Sequence, residues 1–577
     1  MADSRLTSAS RSGALDRLRR STEPGSELDV LVIGGGITGA GIALDAASRG
    51  LATAVVEAQD WAAGTSSRSS KLVHGGLRYL QMLDFKLVTE ALSERDLLLT
   101  ELAPHLVRPI PFLYPLRHRV WERAFVGAGI MLYDILATLR RGRRALPWHR
   151  HLSRRALTAA FPDIAQHAAV GAIEYWDANV DDARYVVTVL RTAKEHGALE
   201  ASRTQVVELT HDEEGTINGA VLEDLETGER IAVRSRSVIS STGVWTEKSQ
   251  ALAGTEGGLR VQASKGIHIV VPKARIKGTV GLILQTPRSV LFVIPWSRYW
   301  VIGTTDTPWT QELTHPTATA SDIEYVLAQA NGVLEHPIDR SDVIGTWAGL
   351  RPLLQPGTIA GTNSAKVSRE HTVASPTPGL TVIAGGKFTT YRVMAKDAVD
   401  FALGAAARNN PSVTRHLPLT GAEGLARAEF ALRAASVGLG WSEPLVDHLL
   451  HRYGANVLDI IAIARTTPDR AAVLTEARAY LRAEIEYAVT HEGALHLDDI
   501  MMRRTRMVYE YPNEASAAVD EVAAIAGPLL GWDAKRAALE LEVYRETVAA
   551  NAAASQKPDD ESAARAREKA PDIVPML

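Results

Sequence analysis

A strand, a glycine-rich turn, a helix and a second strand follow one another near the start of the chain, and this unit constrains the fold most. LDVLVIGGG (28–36) is an apolar run that ends in glycines, and ITGAGIALDAASRG (37–50) has small and apolar residues at helical spacing. LATAVVE (51–57) is a second apolar run. The pattern predicts two parallel strands joined by a crossover helix.

The turn of this unit carries the spacing G-x-G-x-x-G at Gly34, Gly36 and Gly39, and Glu57 ends the second strand. In such a unit the first glycine permits the tight turn, the second lets the backbone approach a pyrophosphate, and the third lets the helix pack on the sheet. The helix start can bind the phosphates, and the acid can accept hydrogen bonds from a ribose. We therefore predict a dinucleotide site.

The glycine spacing alone does not distinguish FAD from NAD, but two later segments favour FAD. GTSSRSSK (64–71) offers short hydroxyl donors directly after the ribose acid, although such a segment could also be a flexible loop. TVIAGGKFTTYRVMAKDAVDFAL (381–403) predicts a strand, a glycine turn at Gly385, Gly386 and Lys387, and a helix, and this late strand could return to the same sheet. A discontinuous domain that closes over a flavin would have this organisation.

Three stretches together resemble the FAD-dependent, respiratory glycerol-3-phosphate dehydrogenases. They are VIGGGITGAGIALDAASRG, TSSRSSKLVHGGLRYL and GGKFTTYRVMA, and WAGLRP (347–352) and IPWSRYWVIGTTDTPW (294–309) fit the same family. The similarity runs from about residue 28 to 545. It implies an α/β FAD-binding Rossmann-type fold like that of glycine and D-amino-acid oxidases, with a mixed-sheet substrate domain and a C-terminal all-α domain.

The 577 residues exceed the size of a single core, so several domains are expected. We predict a disordered tail over 1–27, a discontinuous FAD-binding domain within 28–403, a helical domain over 404–550 and a disordered tail over 551–577. The FAD-binding parts are about 28–110, 180–260 and 345–403, and the interleaved substrate and membrane-contact parts are about 111–179 and 261–344. The start is also rich in arginine and serine, as mitochondrial transit peptides are, but Asp3 and Asp16 argue against that reading.

The resemblance implies oxidation of sn-glycerol 3-phosphate to dihydroxyacetone phosphate, with electrons passed from FAD to a membrane quinone. Such a reaction needs cations for the phosphate, and the candidates are Arg78, Arg351 and Lys387, with Tyr79 as a further substrate contact. The residues expected to contact FAD are Gly34, Gly36, Gly39, Glu57, Thr65, Ser66, Ser67, Ser70, Lys71, His74, Gly75, Gly76, Thr242, Gly243, Gly386, Lys387, Phe388 and Thr389.

For the base that takes the C2 hydroxyl proton, His268 in KGIHIVV is favoured, because an imidazole titrates near the working pH. Strand alternation places His268 on the face of Gly266 and Val270. His74 in KLVHGGLRYL is the competitor. The adjacent Asp181 and Asp182 are interpreted as a helix cap rather than paired catalytic acids.

Charge and composition exclude several classes of function. Lys and Arg number 63 against 67 Asp and Glu, so the protein as a whole does not attract nucleic acid. There is no cysteine, which excludes disulfides and thiol chemistry. The WHRH segment (148–151) lacks further ligands nearby, and we predict no metal.

A basic stretch over 117–155 surrounds the apolar segment FVGAGIMLYDILATL (125–139), which is too short to span a bilayer. This arrangement suits a segment that lies on an anionic membrane, although a core helix with a basic end is the alternative. With the resemblance, it predicts a peripheral protein on the cytoplasmic face of the membrane. A homodimer is possible.

Three other functions are alternatives to the quinone-linked dehydrogenase. A glycerol-3-phosphate oxidase would share the fold and the substrate but would reduce O₂ to peroxide. A non-catalytic flavin-binding sensor at the membrane would have lost the cations, which are all present here. An amine or amino-acid oxidase is disfavoured because three cations suit a phosphate better than a cationic amine.

Overall fold

The computed structural model describes residues 3–77, 84–139, 145–254, 258–287, 290–355, 363–365 and 371–577. Its strands are, in chain order, β1 (Leu28–Ile33), β2 (Thr53–Val56), β3 (Leu72–Val73), β4 (Arg108–Leu116), β5 (Arg150–Ser153), β6 (Gly171–Asn179), β7 (Leu199–Ala201), β8 (Thr204–His211), β9 (Ile217–Asp224), β10 (Glu229–Ser240), β11 (Val261–Pro272), β12 (Gly281–Gln285), β13 (Val290–Trp296), β14 (Tyr299–Gly303), β15 (Thr307–Pro308), β16 (Gly345–Leu354), β17 (Asn363–Ala365), β18 (His371–Thr377) and β19 (Leu380–Gly385).

The α-helices occur between these strands and after them. They are α1 (Ser8–Arg20), α2 (Ile37–Ser48), α3 (Phe85–Leu97), α4 (Trp121–Leu139), α5 (Arg154–Ala160), α6 (Asp182–Glu195), α7 (Thr246–Ala251), α8 (Ala320–Asn331), α9 (Tyr391–Leu403), α10 (Leu425–Leu439), α11 (Glu443–Tyr453), α12 (Val457–Thr466), α13 (Arg482–Thr490), α14 (Met507–Glu510), α15 (Val519–Leu530), α16 (Ala534–Ser555) and α17 (Asp560–Arg567).

The first sheet has the strand order β17-β18-β19-β10-β1-β2-β7, and β9 and β8 continue from β10 as antiparallel neighbours. Strands β19, β10, β1, β2 and β7 are parallel, as the strand-helix-strand pattern predicts. Residues of α2, α6 and α9 pack on one face in a large apolar core. Because β1, β10 and β19 are neighbours, the loops that follow them meet at one edge of the sheet.

The second sheet has the order β15-β11-β14-β13-β12-β4-β6-β3, with β16 paired to β11 and β5 paired to β6. Strands β11 and β16 are antiparallel, and their register sets His268 opposite Trp347 and Ser264 opposite Arg351. The apolar runs at 266–271, 290–294 and 299–303 predict strands, and they lie in β11, β13 and β14.

The C-terminal third is helical, and its helices form two further cores. One lies among α10–α13. The other joins α13–α16 to β4, β6, β11, β13 and α3–α4, so the helices are packed against the second sheet.

The prediction of a disordered N-terminal tail is wrong for the described part of it. Helix α1 begins after Thr7, whose side chain and that of Ser10 cap each other's backbone N–H. Leu15 and Leu18 are buried in the core that includes β1, β8–β10 and β19. The polar composition hid an amphipathic helix whose few leucines lie on one face.

The prediction of a disordered C-terminal tail is also wrong. Helix α17 forms within it, and Asp572 accepts a hydrogen bond from the ring of His315 (2.8 Å). The chain then reaches Gln205 on β8, whose amide donates to the Leu577 carbonyl oxygen (3.2 Å). These polar contacts with distant segments hold a stretch that has little apolar surface of its own.

Asn218-Gly219 is a dipeptide that predicts a hairpin turn, but this prediction is wrong, because both residues lie inside β9. The turn comes earlier, where the Asp212 carboxylate accepts from the N–H groups of Glu214 and Thr216. Gly219 is required for a different reason: a Cβ there would lie 2.0 Å from the Val233 carbonyl oxygen of the neighbouring strand.

Candidate active site

The glycine turn between β1 and α2 is crowded, as a dinucleotide cradle requires. Gly34 has a φ of +105°, and a Cβ on Gly39 would lie 1.8 Å from the Gly34 carbonyl oxygen. The first N–H of α2, on Ile37, donates to the hydroxyl of Ser66 (2.9 Å). Gly36 is the residue before this helix start, and a Cβ there would also approach Ser66. The turn and the hydroxyl-rich loop therefore form one surface.

Glu57 lies beside this turn because β1 and β2 are paired in parallel with Ile33 opposite Val56. One carboxylate oxygen accepts from the Gly35 N–H (2.6 Å) and the other from the Gln59 N–H (2.8 Å). Burial raises the pKa of Glu57, opposed by these two hydrogen bonds. The acid is thus fixed at the position where this type of site takes a ribose.

The loop after Glu57 connects the two sheets. Thr65 donates to the Leu350 carbonyl oxygen on β16 (2.6 Å), and Ser67 to the Gly64 carbonyl oxygen (3.4 Å). Lys71 donates to the Ser67 carbonyl oxygen (3.0 Å). Through these contacts the loop is held between the glycine turn and β16.

Asp182, at the start of α6, fixes the end of the loop and was missed as a site residue. Its carboxylate accepts from the Lys71 ammonium (2.5 Å) and from the Ser69 hydroxyl and N–H (2.7 and 3.0 Å). The neighbouring Asp181 caps α6 by accepting from the Arg184 N–H, as the capping interpretation predicts. Asp182 therefore has a role that its position beside a cap concealed.

His268 lies on β11, directly against the loop. Its Nε2 is 2.9 Å from the Ser70 hydroxyl, and its ring stacks on the indole of Trp347 with centroids 5.0 Å apart. Burial lowers the pKa of His268 well below its usual value, and the charges of Arg351 and Lys71 lower it further. At neutral pH the imidazole is therefore uncharged, and the expectation that it titrates near the working pH is wrong, because burial and two neighbouring cations disfavour its protonated form.

Arg351 lies on β16 next to His268. Its guanidinium donates to the Thr304 hydroxyl (3.0 Å) and the Thr305 carbonyl oxygen (3.2 Å), and packs over Gly266, where a Cβ would lie 2.5 Å from Nη2. About a third of its side chain is exposed. Arg351 and His268 lie on the same face of the paired strands β16 and β11. A partly exposed guanidinium next to a neutral imidazole can bind an anion beside a base.

His74 and Lys387 come together on the other side of the loop. The backbone of His74 exchanges hydrogen bonds with the Thr389 hydroxyl (3.2 Å), and its Nδ1 accepts from the Gly76 N–H (3.1 Å). Burial lowers the pKa of His74 to about 4, and the nearby Lys387 ammonium is one of the charges that lower it. Gly386 has a φ of +84°, which lets the chain turn into this segment.

Gly75 lies where neighbouring side chains leave no room for a Cβ. A Cβ there would lie 2.4 Å from Leu92 and 2.6 Å from the Tyr133 hydroxyl. Its N–H donates to that hydroxyl (2.8 Å) and to Asp177 (3.3 Å), which also accepts from Arg95. Protein side chains therefore fill the space beside Gly75.

Three more predicted cofactor positions, Thr242, Gly243 and Phe388, follow strands of the same sheet. Ser241 donates its N–H to the Ile33 carbonyl oxygen (2.9 Å), which sets Thr242 and Gly243 beside the glycine turn. Phe388 packs against Tyr185, with ring centroids 5.5 Å apart. Arg78 and Tyr79, predicted to contact the substrate, lie outside the described residues.

The segments predicted to bind FAD thus converge from four parts of the chain, and their chemistry fits that group. Backbone glycines without room for a Cβ face one acid, several hydroxyls and buried cations. Trp347, Asp182 and Asp177 complete the arrangement. The sequence showed Trp347 within the motif WAGLRP but gave no indication that the two aspartates would contact the loop.

Comparison with known proteins agrees with this arrangement. Residues 29–392 match the FAD dependent oxidoreductase family, and residues 412–537 match the C-terminal domain of alpha-glycerophosphate oxidase. The chain is 47% identical over 547 residues to the glycerol-3-phosphate dehydrogenase of Mycobacterium leprae, covering 95% of this chain and 92% of that one. It is 36% identical to the human mitochondrial glycerol-3-phosphate dehydrogenase, covering 90% and 73%.

A solved structure gives the same result for the fold. The glycerol-3-phosphate dehydrogenase from Bacillus halodurans complexed with FAD superposes with a TM-score of 0.75 at 26% identity, covering 95% of this chain and 98% of that one. The predicted fold class and the predicted cofactor, FAD, are confirmed.

Proposed function

The chain belongs to the FAD-dependent glycerol-3-phosphate dehydrogenases, and on this premise we propose that it oxidises sn-glycerol 3-phosphate at C2 and passes the electrons to a membrane quinone. The product of this reaction is dihydroxyacetone phosphate. The observation that carries the proposal is the pairing of an uncharged His268 with the guanidinium of Arg351 beside the FAD cradle.

His268 is assigned as the base. Its Nε2 faces the cofactor loop at Ser70, and we assign this atom as the one that takes the C2 hydroxyl proton in place of the serine contact. FAD, when bound, supplies the acceptor for the hydride that leaves C2. Stacking on Trp347 holds the plane of the ring when the serine contact is exchanged.

His74 is the weaker candidate for the base. Its Nδ1 already accepts from the Gly76 N–H, so this nitrogen is engaged in holding the backbone. We assign it to holding the loop that carries Gly75 and Gly76. Its backbone contacts with Thr389 support this role.

The cations are assigned to the phosphate and to the charge that develops on the C2 oxygen. Arg351 offers a planar fork that can bind two oxygens at once. Lys387 enters from the opposite side of the loop, next to His74. Arg78 and Tyr79, which lie outside the described residues, are assigned to the same anion because their motif follows His74 directly.

Helix α4 supports contact with a membrane. Val120, Trp121 and Phe125 are 79%, 62% and 68% exposed, and Met131 and Ile135 continue the same exposed stripe. Its other side buries Ile130 and Tyr133. None of the described helices is long and apolar enough to cross a bilayer. The stripe is flanked by Arg117, Arg119 and Arg123, which suits anionic headgroups on the cytoplasmic face.

The electron acceptor is tested by comparing an anaerobic reaction of the FAD-loaded protein with a reaction in air. Glycerol 3-phosphate should bleach the flavin absorbance without air, and a short-chain quinone should restore it with turnover. Stoichiometric peroxide in air without a quinone requirement would instead establish the oxidase. Glycerol and glycerol 2-phosphate serve as control substrates, because neither presents a C2 hydroxyl next to a C1 phosphate.

A further inference from the structure

A cavity of about 160 Å³ lies between the cofactor loop, the second sheet and the C-terminal helices. It is roofed by the end of the chain, from Arg567 to Met576, and its floor includes Ala63, Arg68 and Trp347. We call it the C-terminal cavity. The glycine turn, Glu57, the serines of the loop and Lys387 do not line it, so it is separate from the FAD cradle.

Most of the charged groups on its wall are paired. The carboxylate of Asp60 accepts from the guanidinium groups of Arg503 and Arg504. The other paired acids are Asp498 with Arg203 and Arg503, Glu540 with His496 and Arg536, and Asp572 with His315 and Arg567. Burial raises the pKa of Glu514 to about 7, and its carboxyl accepts from Asn551 (3.2 Å).

Arg68 is the exception. Among the described residues it has no carboxylate within ion-pair distance, and its guanidinium makes one long hydrogen bond, to the Thr314 carbonyl oxygen (3.4 Å). Burial lowers the pKa of Arg68, and the neighbouring charges of Arg503 and Arg567 lower it further. A partly buried cation without a carboxylate at ion-pair distance is costly, and an anion stabilises such a site.

Two other donors face the same space. Tyr509 lines the cavity, and its hydroxyl makes no hydrogen bond to any part of the chain that the structure describes. Arg567 donates to the Ala570 carbonyl oxygen (3.1 Å). Its ion pair with Asp572 is long, with Nη2 3.6 Å from the carboxylate. Arg68, Tyr509 and Arg567 thus line the same cavity.

We propose that the C-terminal cavity binds a small oxyanion of the phosphate class through Arg68, Tyr509 and Arg567. The volume has room for such an ion together with several water molecules. The site lies close to the active site, because the Tyr509 ring contacts Trp347 (centroids 5.0 Å apart), which in turn stacks on His268. Only the rings of Tyr509 and Trp347 therefore separate an anion at the Tyr509 hydroxyl from the assigned base.

The test is a calorimetric titration of the FAD-loaded, full-length protein with inorganic phosphate at constant ionic strength. It is made in an Arg351→Gln background, so that binding at the proposed substrate site is weakened. We expect saturable binding of one phosphate, and adding Arg68→Gln should weaken it about tenfold or more, the cost of one charge-assisted contact. Adding Arg236→Gln, an exposed arginine, should leave it unchanged.

Thermal melting of otherwise wild-type protein gives a second readout. Without phosphate, Arg68→Gln should melt at the same or a higher temperature, because it removes an uncompensated charge. With phosphate, only the protein that retains Arg68 should gain in melting temperature. If Arg68→Gln does not fold, Tyr509→Phe removes a single hydroxyl donor and should also weaken phosphate binding.

Two results would overturn the proposal: no phosphate binding in the Arg351→Gln background, or equal binding with and without Arg68. Acetate in place of phosphate identifies the class of ion. Weak or absent acetate binding supports the phosphate class, and tighter binding of acetate than of phosphate contradicts it. Because these experiments measure binding and melting, they stand or fall independently of turnover.

Discussion

The imidazole of His268 lies flat against the indole of Trp347, with ring centroids 5.0 Å apart and planes 16° from parallel. The indole is itself fixed, since its N–H donates to the Ser69 carbonyl oxygen (3.2 Å). The orientation of the assigned base is therefore set by residues of both the cofactor loop and β16. The contact with Ser69 connects the cofactor loop to the sheet that carries His268 and Arg351.

Replacing the base should abolish most of the turnover. We expect His268→Asn to lower kcat by about two to four orders of magnitude, because a positioned base contributes that much, while FAD absorbance is retained. His167→Asn, at an exposed position, is the matched control. Activity close to wild type in His268→Asn would assign the base elsewhere, with His74 the first residue to examine.

The pH profile gives an independent check on the same residue. Because the pKa of His268 is lowered below 6.5, its neutral form persists to acidic pH, and protonation removes base function only as pH falls through that lowered pKa. We expect kcat/KM to remain on a plateau from neutral pH down to below 6.5. An acidic limb centred above 6.5 would contradict this assignment.

Loss of the guanidinium on β16 should affect substrate use and not FAD binding. Arg351→Gln should lower kcat/KM about tenfold or more, since a charge-assisted hydrogen bond is worth about 1.5–3 kcal/mol. Arg351→Lys should recover only part of this, because an ammonium does not supply the bidentate fork. Steady-state kinetics with glycerol 3-phosphate measure both, and wild-type kinetics in Arg351→Gln would remove this residue from the site.

Breaking the Lys71 and Asp182 pair should destabilise the protein strongly. Both side chains are almost fully buried, and Asp182→Asn leaves an uncompensated ammonium, at a cost of about 3–5 kcal/mol. Denaturant unfolding measures this cost. Lys71→Met combined with Asp182→Asn should recover much of it, whereas additive losses in the double variant would show that the two groups act separately.

The local part of the site could be predicted from sequence, and the part made by pairing between distant segments could not. Gly34, Gly36, Gly39 and Glu57 belong to one strand-turn-helix-strand unit whose spacing specifies its geometry. Asp182 acts by contacting a loop more than a hundred positions away, and nothing in Asp-Asp before a helix distinguishes this from capping.

Local signals also failed where a tertiary contact had the larger effect. Asn-Gly at 218–219 is a strong turn pattern, yet Gly219 serves the close approach of the Val233 carbonyl oxygen, and Asp212 forms the turn. The two terminal segments have the composition of disordered chains. They are ordered because a few leucines at one end and a few ion pairs at the other find partners on a folded surface.

Stability should depend on pH through His496, which lies between Glu226 and Glu540 (2.7 Å each). The two hydrogen bonds overcome burial and raise its pKa to about 9. A raised folded-state pKa gives stability that is fully present below about pH 6.5 and is lost as pH rises through 9.

The expected loss is on the order of 3 kcal/mol for this one group. His496→Gln should therefore flatten the decline in unfolding free energy between pH 6.5 and 9, as measured by denaturant unfolding at several pH values. A wild-type curve that is flat over this interval would contradict the raised pKa.

Removing the exposed aromatic residues of α4 should release the protein from membranes. Trp121→Ser with Phe125→Ser removes two largely exposed side chains, so the free energy of unfolding should change little. Sedimentation of the protein with anionic vesicles should fall. Phe430→Ser, on α10, is the matched control, because this side chain is 77% exposed but lies outside the basic stretch. Higher salt should weaken the remaining binding, because it screens the arginines beside α4. Replacing Arg140, Arg141, Arg143 and Arg144, which lie outside the described residues, with Gln should weaken binding at low salt. If the α4 and α10 variants sediment equally, α4 is not the membrane contact, and its apolar stripe must serve another surface.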